Sequence, residues 1–139
     1  MTGKIQDSAG DELGINADGS INVNVTAPAV TKVHDFNRAV DVANLATSNH
    51  DYAVPAAETF SLKQIIVGSS ARLQAIVQVG PIAGLSDIAT LYTEKDEFAE
   101  VTFAESYNLA EAGGTETVRV ARLNRSGTAD VESTIIGSY

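Results

Sequence analysis

Two His-Asp dipeptides, His34-Asp35 and His50-Asp51, come nearest in this chain to catalytic residue types. An imidazole beside a carboxylate can serve as a base held in one tautomer, and a serine within reach would complete a nucleophilic triad. Adjacent residues of an extended chain point to opposite faces, so neither dipeptide is by itself a base with its orienting acid. Ser69 and Ser70 sit in a turn, and no G-x-S-x-G elbow occurs to expose a serine nucleophile. Both histidines are expected at the surface or in turns. Asn16-Ala17-Asp18-Gly19-Ser20 offers oxygen ligands at alternate positions, as a fragment of a calcium loop would. The bidentate acid such a loop needs further on is absent, the positions there being Asn24, Val25, Thr26 and Ala27. A turn is the better account. Glu94, Asp96, Glu97 and Glu100 are clustered acids. Glycoside hydrolysis needs two carboxylates facing each other across a cleft, whereas a run of acids within one turn reads as a solvated loop. No H-E-x-x-H, G-x-G-x-x-G or G-x-x-x-x-G-K pattern is present. No catalytic, cofactor-binding or metal-ligating residues are assigned, and the chain is expected not to be an enzyme.

Composition narrows the partners. The 139 residues carry 9 Lys and Arg against 18 Asp and Glu, a formal net charge of -9. A surface of that sign disfavours nucleic acid, whose phosphates need a basic footprint, and disfavours an anionic membrane. There is no cysteine, which removes disulfides, thiolate chemistry and cysteine-ligated zinc. No apolar run approaches the roughly 20 residues of a membrane span. The start, MTGKIQDSAGDEL, lacks the apolar core of a secretory signal. A soluble chain without an N-terminal export sequence is expected. Arg119, Arg122 and Arg125 are then notable as cations in an acidic chain. Arginine favours protein interfaces for its planar, multi-donor head.

The pattern of elements is all-β. Tyr52 to Gly80 reads as two apolar strands around the small-residue turn Gly68-Ser69-Ser70. Phe60, Leu62, Ile65, Ile66 and Val67 are apolar in the first; Leu73, Ala75, Val77 and Val79 alternate in the second. This stretch is expected to be the central hairpin of a sandwich. Asn49-His50-Asp51 reads as a turn, and residues 30–38 as a link. Strands are expected over Ser86–Thr93, Phe98–Ala104, Thr115–Leu123 and Val131–Ile136, with the charged turn Glu94-Lys95-Asp96-Glu97 between the first two. ESYNLAEAGG reads as a loop with at most one helical turn, ended by its glycine pair. Turn signals at about 8–12-residue spacing mark a sandwich or barrel. Ahead of it, glycines break residues 1–19 into short pieces, and Ser20–Thr26 alternates strictly, with Ile21, Val23 and Val25 on one face. We read residues 1–36 as an extended arm that orders against a partner and 37–139 as a β-sandwich domain.

Four stretches together carry a resemblance: LGINADGSINVNV, DYAVPAAETFSLKQIIVGSS, ARLQAIVQVG and VTFAESYNLAEAGGTETVRVARLNRSGTADVESTIIGSY. In this order of strands, turns and glycine pair the chain resembles small virion proteins of tailed bacteriophages. The resemblance implies a jelly-roll, TNF-like β-sandwich with an extended N-terminal arm, serving as a capsid decoration (cement) protein on the phage head. It implies the major capsid protein as partner, self-association as a homotrimer, no cofactor, and assembly onto the virion in the host cytoplasm. The docking residues of the arm would be Lys4, Ile5, Leu13, Ile15, Ile21, Val23 and Val25. The subunit interface would use Arg119, Arg122 and Tyr139. The alternative is a fibre or baseplate module of the same particle whose loops bind host glycan. A carbohydrate-active or lectin-like sandwich fits less well, given no Trp and scattered acids.

Overall fold

The computed structural model describes residues 30–139 except Ala112 and Gly114, together with Gly19. Eight strands follow in chain order: β1 (Lys32–Val42), β2 (Thr47–Ala53), β3 (Thr59–Ser69), β4 (Leu73–Pro81), β5 (Ser86–Thr93), β6 (Glu97–Ala110), β7 (Glu116–Asn124) and β8 (Ala129–Ser138). They form two four-stranded sheets of order β1-β8-β3-β6 and β2-β7-β4-β5. All pairings are antiparallel. The first strand pairs with the last, the second with the seventh, the third with the sixth and the fourth with the fifth. Successive pairs fall in opposite sheets. That is a long hairpin rolled on itself, a jelly roll; the strand pattern implies a sandwich or barrel, and the resemblance implies the jelly roll.

Between the sheets lies a core of Phe60, Leu62, Ile65, Val67, Leu73, Ala75, Val77, Val118, Val120, Val131 and Ile135, all buried. Strict alternation in β4 and β8 puts every second residue inward. In β3 the alternation changes parity. Leu62 faces Gly137 and Gln64 faces Ile136, so Lys63 is an extra residue in the ladder. The bulge turns Phe60 and Leu62 inward before it, and Ile65 and Val67 inward after it. It also explains why Ile66, between two buried neighbours, lies on the outer face. The ring of Phe60 stacks on Tyr52 at 4.9 Å and on Tyr139 at 5.7 Å between centroids. A Cβ at Gly137 would run into that ring and into the Ser61 carbonyl, so only glycine fits there.

Several sequence expectations are corrected. β3 and β4 are not a hairpin: each is a central strand of a different sheet, and the short link after Ser69 carries the chain across the sandwich. A turn between two half-apolar strands serves a sheet-crossing corner as well as a hairpin, and periodicity alone does not separate the two. Asn49-His50-Asp51 lies within β2 rather than in a turn. The turn falls earlier, where Leu45 takes a φ of 62° and the Ala46 amide donates to the Ala43 carbonyl at 3.0 Å. Residues 105–110, expected to be a loop, belong to β6: pairing resumes at 107–110 past a four-residue excursion at 103–106, jumping from Thr102 opposite Gln64 to Tyr107 opposite Leu62. Residues 32–36, expected to close the arm, are strand β1. The arm residues Lys4, Ile5, Leu13, Ile15, Ile21, Val23 and Val25, and the strand expected over 20–26, lie outside the described residues.

Candidate functional site

Alternation splits each His-Asp dipeptide between the two faces of its strand. His34 is exposed on β1 and Asp35 turns inward; His50 turns inward on β2 and Asp51 outward. Partners are then found across the sandwich. His50 Nε2 lies 2.8 Å from Asp35 Oδ2, and His50 Nδ1 lies 2.7 Å from Ser133 Oγ on β8. His50 is thus no surface or turn residue: it is 3% exposed.

The fourth member is Arg122 of β7, which is fully enclosed at 0% exposure. Its five N–H groups all have acceptors. Nε donates to the Ser48 carbonyl at 3.3 Å. Nη1 donates to the Asn37 carbonyl at 2.9 Å and Ser133 Oγ at 3.2 Å. Nη2 donates to Asn37 Oδ1 at 2.6 Å and Ser48 Oγ at 3.0 Å. A guanidinium has no acceptor of its own, so Ser133 Oγ accepts from Arg122 and its own proton is free to go to His50 Nδ1. Nδ1 therefore accepts, and Nε2–H donates to the Asp35 carboxylate. Burial holds the His50 pKa below its ordinary value; Asp35 pulls upward, and the Arg122 charge adds to the lowering. A neutral imidazole is what the donor assignment requires.

Ser133, His50 and Asp35 thus repeat the polarity of a serine-hydrolase triad, with the two ring nitrogens exchanged relative to that template. Accessibility separates them from one. Ser133 is 1% exposed, and its oxygen is held by Arg122 and His50 between the two sheets. A substrate carbonyl has no approach to it. The arrangement is a polar seam that ties β1 and β2, the edge strands at one side of the sandwich, to β7 and β8. Asn124, also fully buried, extends it. Its amide donates to the carbonyls of Val42 at 2.8 Å and Ala43 at 3.3 Å, and to that of Gly127.

The other candidates are placed apart from the seam. Arg119 makes a two-pronged contact with Asp51, at 2.6 and 2.8 Å, on the outer face of the second sheet. Its hydrogen bond holds the Asp51 carboxyl below the usual carboxylate range. Arg125 donates to Gln74 Oε1 at 2.7 Å. Arg122, expected at a subunit interface, faces the interior of its own sandwich and presents nothing to a partner. Tyr139 is half-buried against Phe60. Of the acids, Glu94 meets Arg72 at 3.2 Å and Glu100 accepts from Gln64 at 3.0 Å. They are strung along the β5–β6 turn and β6 rather than opposed across a cleft. Asp96, Glu97, Phe98, Asp130 and Glu132 border a shallow depression of about 270 Å³ with Arg38, which is itself bound to Asp130 at 2.8 Å. Among the described residues no group of three or more His, Asp or Glu is placed to hold a metal ion.

Asn37, Ser48 and Ser133 are not singled out by residue type or spacing; Asp35 is, but with His34 and not with His50. The signal for Ser133 was present, since Ala129, Val131, Ser133, Ile135 and Gly137 share one face of β8. For the others it was diluted by polar residues on both faces of β1 and β2.

No family model and no curated protein matches the chain. Among solved structures it is similar to a Bacillus chain described under "Bacillus endospore appendages form a novel family of disulfide-linked pili". The TM-score is 0.41 at 15% identity, covering 85% of this chain and 96% of that one.

Proposed function

We propose that this chain is a non-enzymatic structural protein and, following its sequence resemblance, that it decorates the head of a tailed bacteriophage. The observation that supports a structural role most is the burial of Ser133 and His50 between the sheets, with only the Asp35 carboxylate part-exposed. The side chains best suited to catalysis are spent on holding edge strands in register. The chain enters the body on edge strand β1, beside its own C-terminus, where the Tyr139 amide donates to the Thr31 carbonyl at 2.9 Å. β1 thus begins at the rim of the sandwich, and the arm proposed ahead of it would reach a neighbouring protein and add its backbone to that protein's sheet. Docking of this kind would stabilise an assembled particle by linkage, since it favours the bound state alone.

The test is to band particles by density from cells that make the chain, either whole or lacking residues 1–19, and to locate it by immunogold electron microscopy. The whole chain is expected on the head surface. The truncated chain is expected to remain free while keeping its melting temperature. Absence of the whole chain from particles, or label on fibres instead of heads, overturns the reading.

A further inference from the structure

We propose that copies of this chain associate head to tail, edge strand β1 of one pairing with edge strand β6 of the next. The sheet β1-β8-β3-β6 would then run on from copy to copy. This goes beyond the role proposed above, which requires docking on another protein but no self-contact.

Strand direction permits it. Three antiparallel steps separate β1 from β6 within the sheet, so the two edges run in opposite senses. A second copy in the same orientation therefore brings its β1 antiparallel to the first copy's β6. Length favours this sheet over the other. Its edges span 11 and 14 residues, against 7 and 8 for β2 and β5. Natural edge strands are commonly short, or blunted by proline and inward-pointing charge. Neither β1 nor β6 contains proline; the one inward charge of β1, Asp35, is taken up by His50, and each strand, irregular once, keeps a regular stretch: Lys32–Ala39 in β1 and Glu97–Thr102 in β6.

Side chains point the same way. Large apolar residues stand exposed on these edges, Phe36 at 59% and Val40 at 62% on β1, Phe98 at 69% and Tyr107 at 43% on β6. The inner strands β8 and β3 expose none. Over its regular stretch the outward row of β1 is Lys32, His34, Phe36 and Arg38, with no carboxylate; Arg38 also binds Asp130, and Asp41 stands exposed beyond it, at the irregularity between Ala39 and Val42. β6 carries Glu97, Glu100 and Glu105 and neither Lys nor Arg. In a chain of net charge -9, pairing β6 with β6 would set acid against acid. Pairing β1 with β6 sets opposite signs and exposed aromatic groups together. A contact between two different surfaces closes into a ring or runs as a filament. The trimer expected from sequence would be a ring of three.

Sedimentation velocity on the whole chain and two edge variants tests this. His34→Asp/Phe36→Asp blocks β1 and Phe98→Asp/Thr102→Asp blocks β6; a thermal melt confirms folding, with Phe36→Ser and Phe98→Ser as substitutes if either pair unfolds. The unaltered chain is expected to form species larger than monomer that grow with concentration. Each variant alone should be monomeric. An equal mixture should give dimers and nothing larger, because one intact β1 edge meets one intact β6 edge only once. Three results overturn the proposal: an unaltered chain monomeric up to about 1 mM, where even millimolar affinity would show; a mixture that stays monomeric; or a variant that assembles alone. A monomeric chain that still labels phage heads would end this inference and leave the decoration role standing.

Discussion

The two sides of this sandwich core use one geometry for opposite chemistry. Around β3 and β4 the inward residues are Phe60, Leu62, Ile65, Val67, Leu73, Ala75, Val77 and Val79, all buried and all apolar. Around β1, β2, β7 and β8 the inward positions include Asp35, Asn37, Ser48, His50, Arg122, Asn124 and Ser133. The apolar side gains from area removed from water, which is non-directional. The polar side gains little net from each hydrogen bond but loses heavily if one is broken, because the abandoned group stays buried. The contrast explains what each side specifies. Greasy contacts tolerate small shifts, whereas the five bonds of Arg122 admit one alignment of β1 and β2 against β7. An edge strand so tied could take a neighbour on its outer side, unpaired among the described residues, without peeling from its own sheet.

Removing Phe60 should break the apolar side most severely. Phe60→Ala is expected to cost about 3–5 kcal/mol, as large-to-small changes in cores do, read from the midpoint of urea unfolding. Next comes the polar side: Arg122→Ala should cost about 3 kcal/mol by orphaning the Asn37 and Ser48 acceptors. Arg122→Lys should recover little, since an ammonium offers three donors where five are used. A smaller effect sharpens the contrast by pH. Burial lowers the His50 pKa in the folded state, so the unfolded chain takes up the proton first. The stability that His50 contributes is present above the ordinary imidazole value of about 6.5 and is lost as pH falls from there toward the folded value. Urea midpoints between about pH 7 and 5 should decline for the unaltered chain and flatten for His50→Asn. The smallest effect lies outside the core. Asp51→Ala, which removes the exposed partner of Arg119, should change stability by about 0–1 kcal/mol.

How far the chain can be read follows from the same contrast. β4, β5, β7 and β8 are legible because alternation and turn chemistry agree there. A sandwich or barrel is legible as a class from the number and spacing of strands, whereas the jelly roll came only from the resemblance. The sheet crossing between β3 and β4 is not, since Ser69-Ser70 suits either a corner or a hairpin. β2 was hidden by Asn49-His50-Asp51, whose turn preference is overridden by pairing with β7. Arg122 is the instructive residue. It follows Val118 and Val120 at the inward spacing, so periodicity placed it inside while its charge argued for the surface. Five acceptors from three other strands resolve that conflict, and none of them is near it in sequence. Asp35 and His50 likewise find each other only after the strands alternate and the chain rolls.

The Ser133–His50–Asp35 group is expected to hold the fold together rather than to perform chemistry. Incubating the folded chain with a fluorophosphonate probe, followed by intact-protein mass spectrometry, tests this most directly. An unchanged mass is expected, because Ser133 is buried between the sheets. A covalent adduct mapped to Ser133 in protein that remains folded would contradict it.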